Sequence, residues 1–209
     1  MTGDASGDGS PSGIRLAAAR DAGPVAAIYA PNVTETVISF ESEPPGEDGM
    51  RRRIEVTLER YPWLVCERQG RVVGYAYAGA HGSRAAYQWS VDVSVYVHGE
   101  AHRMGVGRAL YTSLFAALGV QGLYNAYAGA TLPNPASVGL HEAMGFRPVG
   151  VYRGAGYKMG AWHDVGWWHL PLRERVGEPD PPADLPSVLG SEEWDAALAK
   201  GLPLLRSGP

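Results

Sequence analysis

The sequence predicts an α/β fold built on a mixed, mostly antiparallel sheet flanked by helices. Three observations lead there. Residues 89–115 read as strand, glycine turn and helix: Val91, Val93, Val95 and Val97 alternate with Asp92, Ser94 and Tyr96, and Leu110, Leu114 and Leu118 then recur every four residues. Two strand-like runs, 63–67 and 72–78, flank Gln69-Gly70, the composition of a tight hairpin. Beyond residue 89 the pattern alternates strand and helix, so antiparallel pairs come first and βαβα units follow.

Each element has a local reason. Residues 14–18 read as a first strand. Asp21 caps a helix with Pro24 in its first turn, where a missing N–H is harmless, and Val25, Ile28 and Tyr29 form its apolar face. Pro31 is expected to end it. A loop over 32–45 with an extended piece at 37–40 follows. A charged helix begins at Gly46, with Met50, Ile54 and Leu58 on one face. Gly74 suggests a bulge in the return strand of the hairpin. One long strand is expected over 84–97, a central helix over 105–118 and a strand over 123–130. A helix over 134–144 is stopped by Gly145 in the left-handed position, and strands at 146–158 and 162–172 follow.

Three segments result: a Gly/Ser-rich disordered lead over 1–13, a globular domain over 14–172, and a tail over 173–209. The tail opens with Glu178-Pro179-Asp180-Pro181-Pro182, which suits neither helix nor sheet interior. Ser191 then caps a short helix, which must dock on the domain or on a partner subunit because it is too short to stand alone.

Bulk properties narrow the function. A net charge of −4 argues against a nucleic-acid surface. The single cysteine, Cys66, lies in an apolar run, so a buried inert thiol and a reducing compartment are expected. No run has the length of a membrane span or export signal, which places the protein in the cytoplasm. The histidines show no metal spacing, and no metal is expected.

The turn His102-Arg103-Met104-Gly105-Val106-Gly107-Arg108 carries the first chemical signal. At the start of a helix several N–H groups lack intrahelical partners and the dipole is positive. Two glycines let an anion close to the backbone, and two arginines add charge. The reading is a pyrophosphate cradle. It is not a dinucleotide fingerprint, since Leu110 stands at the third glycine position and 122–131 contains no acid, and no Walker pattern is present.

A strand reading V-S-V-Y-V followed by H-R-M-G-V-G-R-A resembles motif A of the GNAT acetyltransferases, Q/R-x-x-G-x-G/A, with His102 at the Gln/Arg position. The stretches 59–65, 74–79, 132–137, 141–146 and 155–166 extend the likeness, in order and at near-constant spacing, to the phosphinothricin N-acetyltransferases. The resemblance covers roughly 14–172.

It implies a GNAT fold, acetyl-CoA as co-substrate, a small-molecule amine acceptor and a homodimer. CoA would be held by Arg103, Met104, Gly105, Val106, Gly107 and Arg108. Backbone groups of Val95, Tyr96 and Val97 would meet the thioester, and Asn134 the pantetheine arm. Asp92, a costly charge in mid-strand, stands where the family has a glutamate base and is the candidate base here. His141 is the second candidate, a near-neutral imidazole relaying protons, and the two are expected to act as a pair. Arg84 would meet the acceptor's carboxylate, with Tyr87 and Phe40 lining the pocket, and Gly82 stands where the family has a lysine.

The expected reaction is direct acetylation of the α-amine of a small amino acid or analogue, phosphinothricin or methionine sulfoximine/sulfone. An acyl-CoA-binding sensor with an impaired site and a peptide acetyltransferase are the alternatives.

Overall fold

The computed structural model describes residues 13–175 and 177–206. The lead expected over 1–13 lies outside them, except Gly13. Seven strands form one sheet: β1 (Gly13–Leu16), β2 (Trp63–Arg68), β3 (Arg71–Ala80), β4 (Ser90–Val97), β5 (Asn125–Leu132), β6 (Arg147–Lys158) and β7 (Ala161–Pro171). Their order is β1-β2-β3-β4-β5-β7-β6. Among the described residues only β4 and β5 run parallel. Parallel neighbours need a crossover, supplied by α3 (Val106–Val120).

The sheet is covered on both faces from β1 to β5, while β6 lies open. On one, Val91 and Val93 pack with Leu110, Leu114 and Leu118 of α3. On the other, α1 (Ala22–Thr34) and α2 (Gly46–Leu58) lay Val25, Ile28, Met50 and Ile54 against Trp63, Val65 and Tyr75. Alternation along β4 therefore sends Asp92, Ser94 and Tyr96 to the α1/α2 face.

Several local expectations hold. Gln69 and Gly70 both have positive φ, at 49° and 71°, as the tight turn demands. The register slips by one residue beside Gly74, where Cys66 pairs Gly74 and Glu67 pairs Val72. Gly145 (φ 91°) ends α4 (Pro135–Ala143), and Phe146 N–H returns to His141 O at 3.0 Å. Cys66 is fully buried, and burial pushes its thiol up to about 11.

Three expectations fail for tertiary reasons. The first helix continues through Pro31 to Thr34, because its last turn carries Val33, 1% exposed, into the core. Residues 37–40 form no strand; the loop is pinned by Lys158 Nζ, which donates to Ser39 O at 2.6 Å and to Val33 O. The strand expected over 84–97 breaks into a 3-10 turn at Ala85–Tyr87 and starts at Ser90, as the Tyr87 ring folds back edge-on to His81.

The tail straps the domain. Trp89 Nε1 donates to Asp180 O at 2.8 Å, and Gln121 Nε2 donates to Ala183 O at 2.9 Å. The helices α5 (Leu185–Val188) and α6 (Glu192–Ala199) follow. The Ser191 hydroxyl caps α6 by accepting from Trp194 N at 3.1 Å. Leu185, Trp194 and Ala197 pack around Ala117 of α3. Ser113 Oγ donates to Leu198 O at 2.7 Å, and Arg206 N donates to Met104 O at 3.0 Å. The tail helix thus docks on its own domain and runs back along α3 to the glycine turn.

Trp194 is 3% exposed. Trp194→Ala should cost about 3 kcal/mol and lower Tm by roughly 6–12 °C in calorimetry. An unchanged Tm would mean that the tail is not part of the folded unit.

Candidate active site

The site begins where two strands part. β5 pairs with β4 only at Ser90, Val91 and Asp92. β5 is committed on its other edge to β7, from Asn125 to Leu132. Beyond Asp92, residues Val93–Val97 keep β3 on one side and, among the described residues, have no strand on the other. His98 N–H points to Val73 O on β3 at 2.9 Å. Alternation then turns the N–H groups of Val93, Val95 and Val97 into the gap. Val97 O, facing the same way, accepts from His102 Nε2 at 3.1 Å. On the α3 side, a Cβ placed on Gly107 would lie 3.3 Å from Leu140 of α4 and 3.7 Å from Val97.

The glycine turn follows directly. Arg103 (φ 63°) and Gly105 (φ 79°) are left-handed on either side of Met104, a turn that gathers successive N–H groups at the start of α3. Gly105 is also held by the tail, since a Cβ there would collide with Leu204 O. The Arg103 and Arg108 side chains are exposed beside it.

Asp92 sits at the fork, the last residue that β4 shares with β5. His81 Nδ1 lies 2.7 Å from Asp92 Oδ1. The His81 ring stacks on Tyr127, with centroids 4.2 Å apart, and meets Tyr87 and Trp167 edge-on. The Asp92 side chain keeps 40% of its surface exposed. Desolvation by its neighbours nevertheless raises its pKa, offset in part by the hydrogen bond and charge of His81.

His141 occupies the opposite face. It is 4% exposed, between Tyr111, Phe146 and Trp168. Its Nε2 lies 3.1 Å from Tyr111 Oη and its Nδ1 3.4 Å from Ser137 Oγ. Burial lowers its pKa from 6.5 to about 4, against a smaller opposing hydrogen bond to the Ser137 backbone. The expected Asp92–His141 pair is not formed, because β4 alternation and α3 packing put the two on different faces. The expected near-neutral imidazole is not found either; this one is neutral at pH 7.

The sequence match runs over residues 14–167 to the model of a family described as "Acetyltransferase (GNAT) domain". The chain belongs to the GNAT acetyltransferase family. A phosphinothricin N-acetyltransferase of Streptomyces viridochromogenes is 42% identical over 67% of this chain and 76% of its own length. An L-methionine sulfoximine/L-methionine sulfone acetyltransferase of Salmonella typhimurium is 33% identical over 64% of this chain and 78% of its own. The crystal structure of a GNAT phosphinothricin acetyltransferase from Sinorhizobium meliloti in complex with AcCoA superposes with a TM-score of 0.77 at 33% identity, covering 81% of this chain and 93% of that one.

The remaining candidates of this GNAT chain fall on the α1/α2 face or beside the gap. Phe40 packs on Gly156 and lies 6.4 Å, centroid to centroid, from His163. His163 and Trp167 share a face of β7 about 13 Å apart along the strand; Phe40 lies beside the first ring and His81 beside the second. Tyr87 reaches Asp92 through His81, at 5.8 Å. The Arg84 side chain is exposed and makes no hydrogen bond among the described residues, while its carbonyl accepts from Tyr87 N at 2.9 Å. Asn134 Oδ1 caps α4 by accepting from Ser137 N at 3.1 Å, which leaves its amide nitrogen as the group available to a ligand.

Sequence reasoning missed His81. Its spacing from Asp92 matches no motif, and only the pairing of Gly79 with Asp92 brings it there. Counting the β3–β4 register outward from the hairpin was the available signal.

His141 also has a measurable consequence. Its folded pKa is depressed, so the unfolded chain binds its proton first as pH falls. The contribution is present above about pH 6.5 and is lost towards pH 4, roughly 3 kcal/mol in all. Denaturant titrations should show the wild type losing stability more steeply than His141→Gln over that window. Parallel slopes would contradict the burial argument.

Proposed function

We propose that this GNAT N-acetyltransferase moves the acetyl group of acetyl-CoA to the α-amine of a small amino acid or analogue of the phosphinothricin type. The observation that carries the reading is the parting of β4 and β5, with an acid at the fork and the glycine turn at the far end. The backbone N–H groups from Arg103 to Arg108 suit the linked phosphates, with both arginine side chains adding charge. The gap accommodates the pantetheine arm, with the Asn134 amide nitrogen as a donor. Val95 and Val97 N–H, flanking Tyr96, are placed to receive the oxyanion as it develops.

The acceptor approaches from the α1/α2 face, between Phe40 and the Tyr87 turn, with Arg84 available to its carboxylate. Asp92 supplies the basicity that strips the ammonium of a proton. The amine nitrogen attacks the thioester carbon, the carbonyl pair moves to oxygen, and its return expels CoA thiolate. His141, neutral and bonded to Tyr111, serves on the CoA side as a hydrogen-bond partner rather than as a charged acid.

One observation favours the second acceptor, methionine sulfoximine or sulfone. A Cβ on Gly82 would lie 2.9 Å from the Tyr87 ring. Where the family has a lysine, this chain therefore places an aromatic edge, which suits an uncharged sulfone better than a phosphinate anion.

CoA release from acetyl-CoA should be measured across L-phosphinothricin, methionine sulfone, methionine sulfoximine and short peptides. Asp92→Asn should lower kcat by about 10²–10⁴-fold with acetyl-CoA affinity retained. Acetyl-CoA binding without amine-dependent release would replace the enzyme reading with a sensor.

The homodimer belongs to the same proposal. It is supported by apolar side chains left open on the β6–β7 hairpin, Tyr152 at 62% exposure, Tyr157 at 63% and Trp162 at 70%. Sedimentation velocity should give a dimer, and Trp162→Glu should give a monomer; a monomeric wild type would refute it. A cytoplasmic site accords with the cofactor, and no described helix is long and apolar enough to cross a membrane.

A further inference from the structure

We infer that the imidazole of His81, held by Asp92, is the group that takes the proton from the acceptor ammonium, Asp92 acting on the substrate through it. This rests on the acetyl-transfer reading and refines its base.

Four observations lead to it. One carboxylate oxygen of Asp92 is already engaged, 2.7 Å from His81 Nδ1. An ionised Asp92 can only accept that hydrogen bond, so it fixes the proton on Nδ1 and leaves Nε2 as a bare acceptor. Among the described residues Nε2 has no hydrogen-bond partner, and the side chain is 27% exposed, open to a ligand. The ring is also oriented: Tyr127 stacks on one face and Tyr87 and Trp167 present their edges. A stacked aromatic face favours an imidazolium as it forms.

Reach agrees with this assignment. Asp92 stands where the resembling family has the longer glutamate, and an imidazole beyond the shorter carboxylate carries an acceptor nitrogen further into the open slot.

The step balances. The ammonium proton moves to Nε2, giving the free amine and an imidazolium paired with the Asp92 carboxylate. The nitrogen lone pair forms the C–N bond, and the C–S bond breaks with its electron pair on sulfur. The second nitrogen proton is released with the amide. One proton reaches the thiolate and one reaches solvent, leaving amide, CoA thiol and neutral His81. The groups facing His81 are Asp92 from β4, Tyr127 from β5 with His169 stacked behind it, and Tyr87 from the 3-10 turn. Asp92 is the one carboxylate among them.

The test compares His81→Ala, His81→Gln and Asp92→Asn with the wild type, using the fastest acceptor of the amino-acid panel. Acetyl-CoA affinity, measured by calorimetry, confirms folding in each. His81→Ala and His81→Gln should each lower kcat by about a hundredfold or more, with acetyl-CoA affinity within about threefold of wild type. The acidic limb of the kcat profile should disappear in both, and added imidazole should restore part of the rate in His81→Ala. Gln can keep a hydrogen bond to Asp92 but cannot take a proton, so wild-type turnover in His81→Gln would reduce His81 to a structural support and overturn the inference. An inactive Asp92→Asn beside fully active His81 variants would leave acetyl transfer standing with Asp92 as the direct base. Full activity in all three variants would remove Asp92 from the mechanism as well.

Discussion

The divergence of two parallel strands organises this molecule. Strand N–H groups are obligatory donors, and leaving a row of them without partners is costly unless a ligand or water meets them. Here the cost is imposed from outside the gap. β5 is drawn away by eight paired positions on β7, while β4 is held along its length by β3. Beyond the fork each strand keeps its outer ladder, so the two diverge without losing those pairings, with the acidic residue at the apex and the glycine turn at the far end.

The two candidate histidines show how environment divides labour. His81 and His141 are the same residue type, yet one lies against a carboxylate at a half-open aromatic slot and the other is enclosed by Tyr111, Phe146 and Trp168. Enclosure in apolar surroundings disfavours the charged form. His141 therefore stays neutral on the α3/α4 side, while Asp92 and His81 lie together on the α1/α2 face.

The tail adds a constraint that a GNAT match over 14–167 does not contain. It returns along α3 and finishes on the turn that would hold the phosphates. Gly105 serves two requirements at once, a left-handed backbone and room for Leu204 O. A substitution there would disturb both the turn and the docking of the tail, so the stability of the strap and the shape of the cofactor turn are mechanically linked.

By itself the sequence determined what is local. The valine alternation, the Gln69-Gly70 turn, the Ser191 cap and the Gly145 stop follow from periodicity and backbone sterics, which act over a few residues. The resemblance supplied the fold and the expectation of acetyl-CoA as co-substrate. Tertiary structure decided the rest. Val33 found a core position and carried a helix past Pro31; Tyr87 folded onto His81 and broke an expected strand; α3 enclosed His141 and took away its charge; and the β3–β4 register delivered His81 to Asp92. Each of these depends on contacts between residues far apart in the chain or on burial by another element, and neither spacing nor composition encodes such contacts.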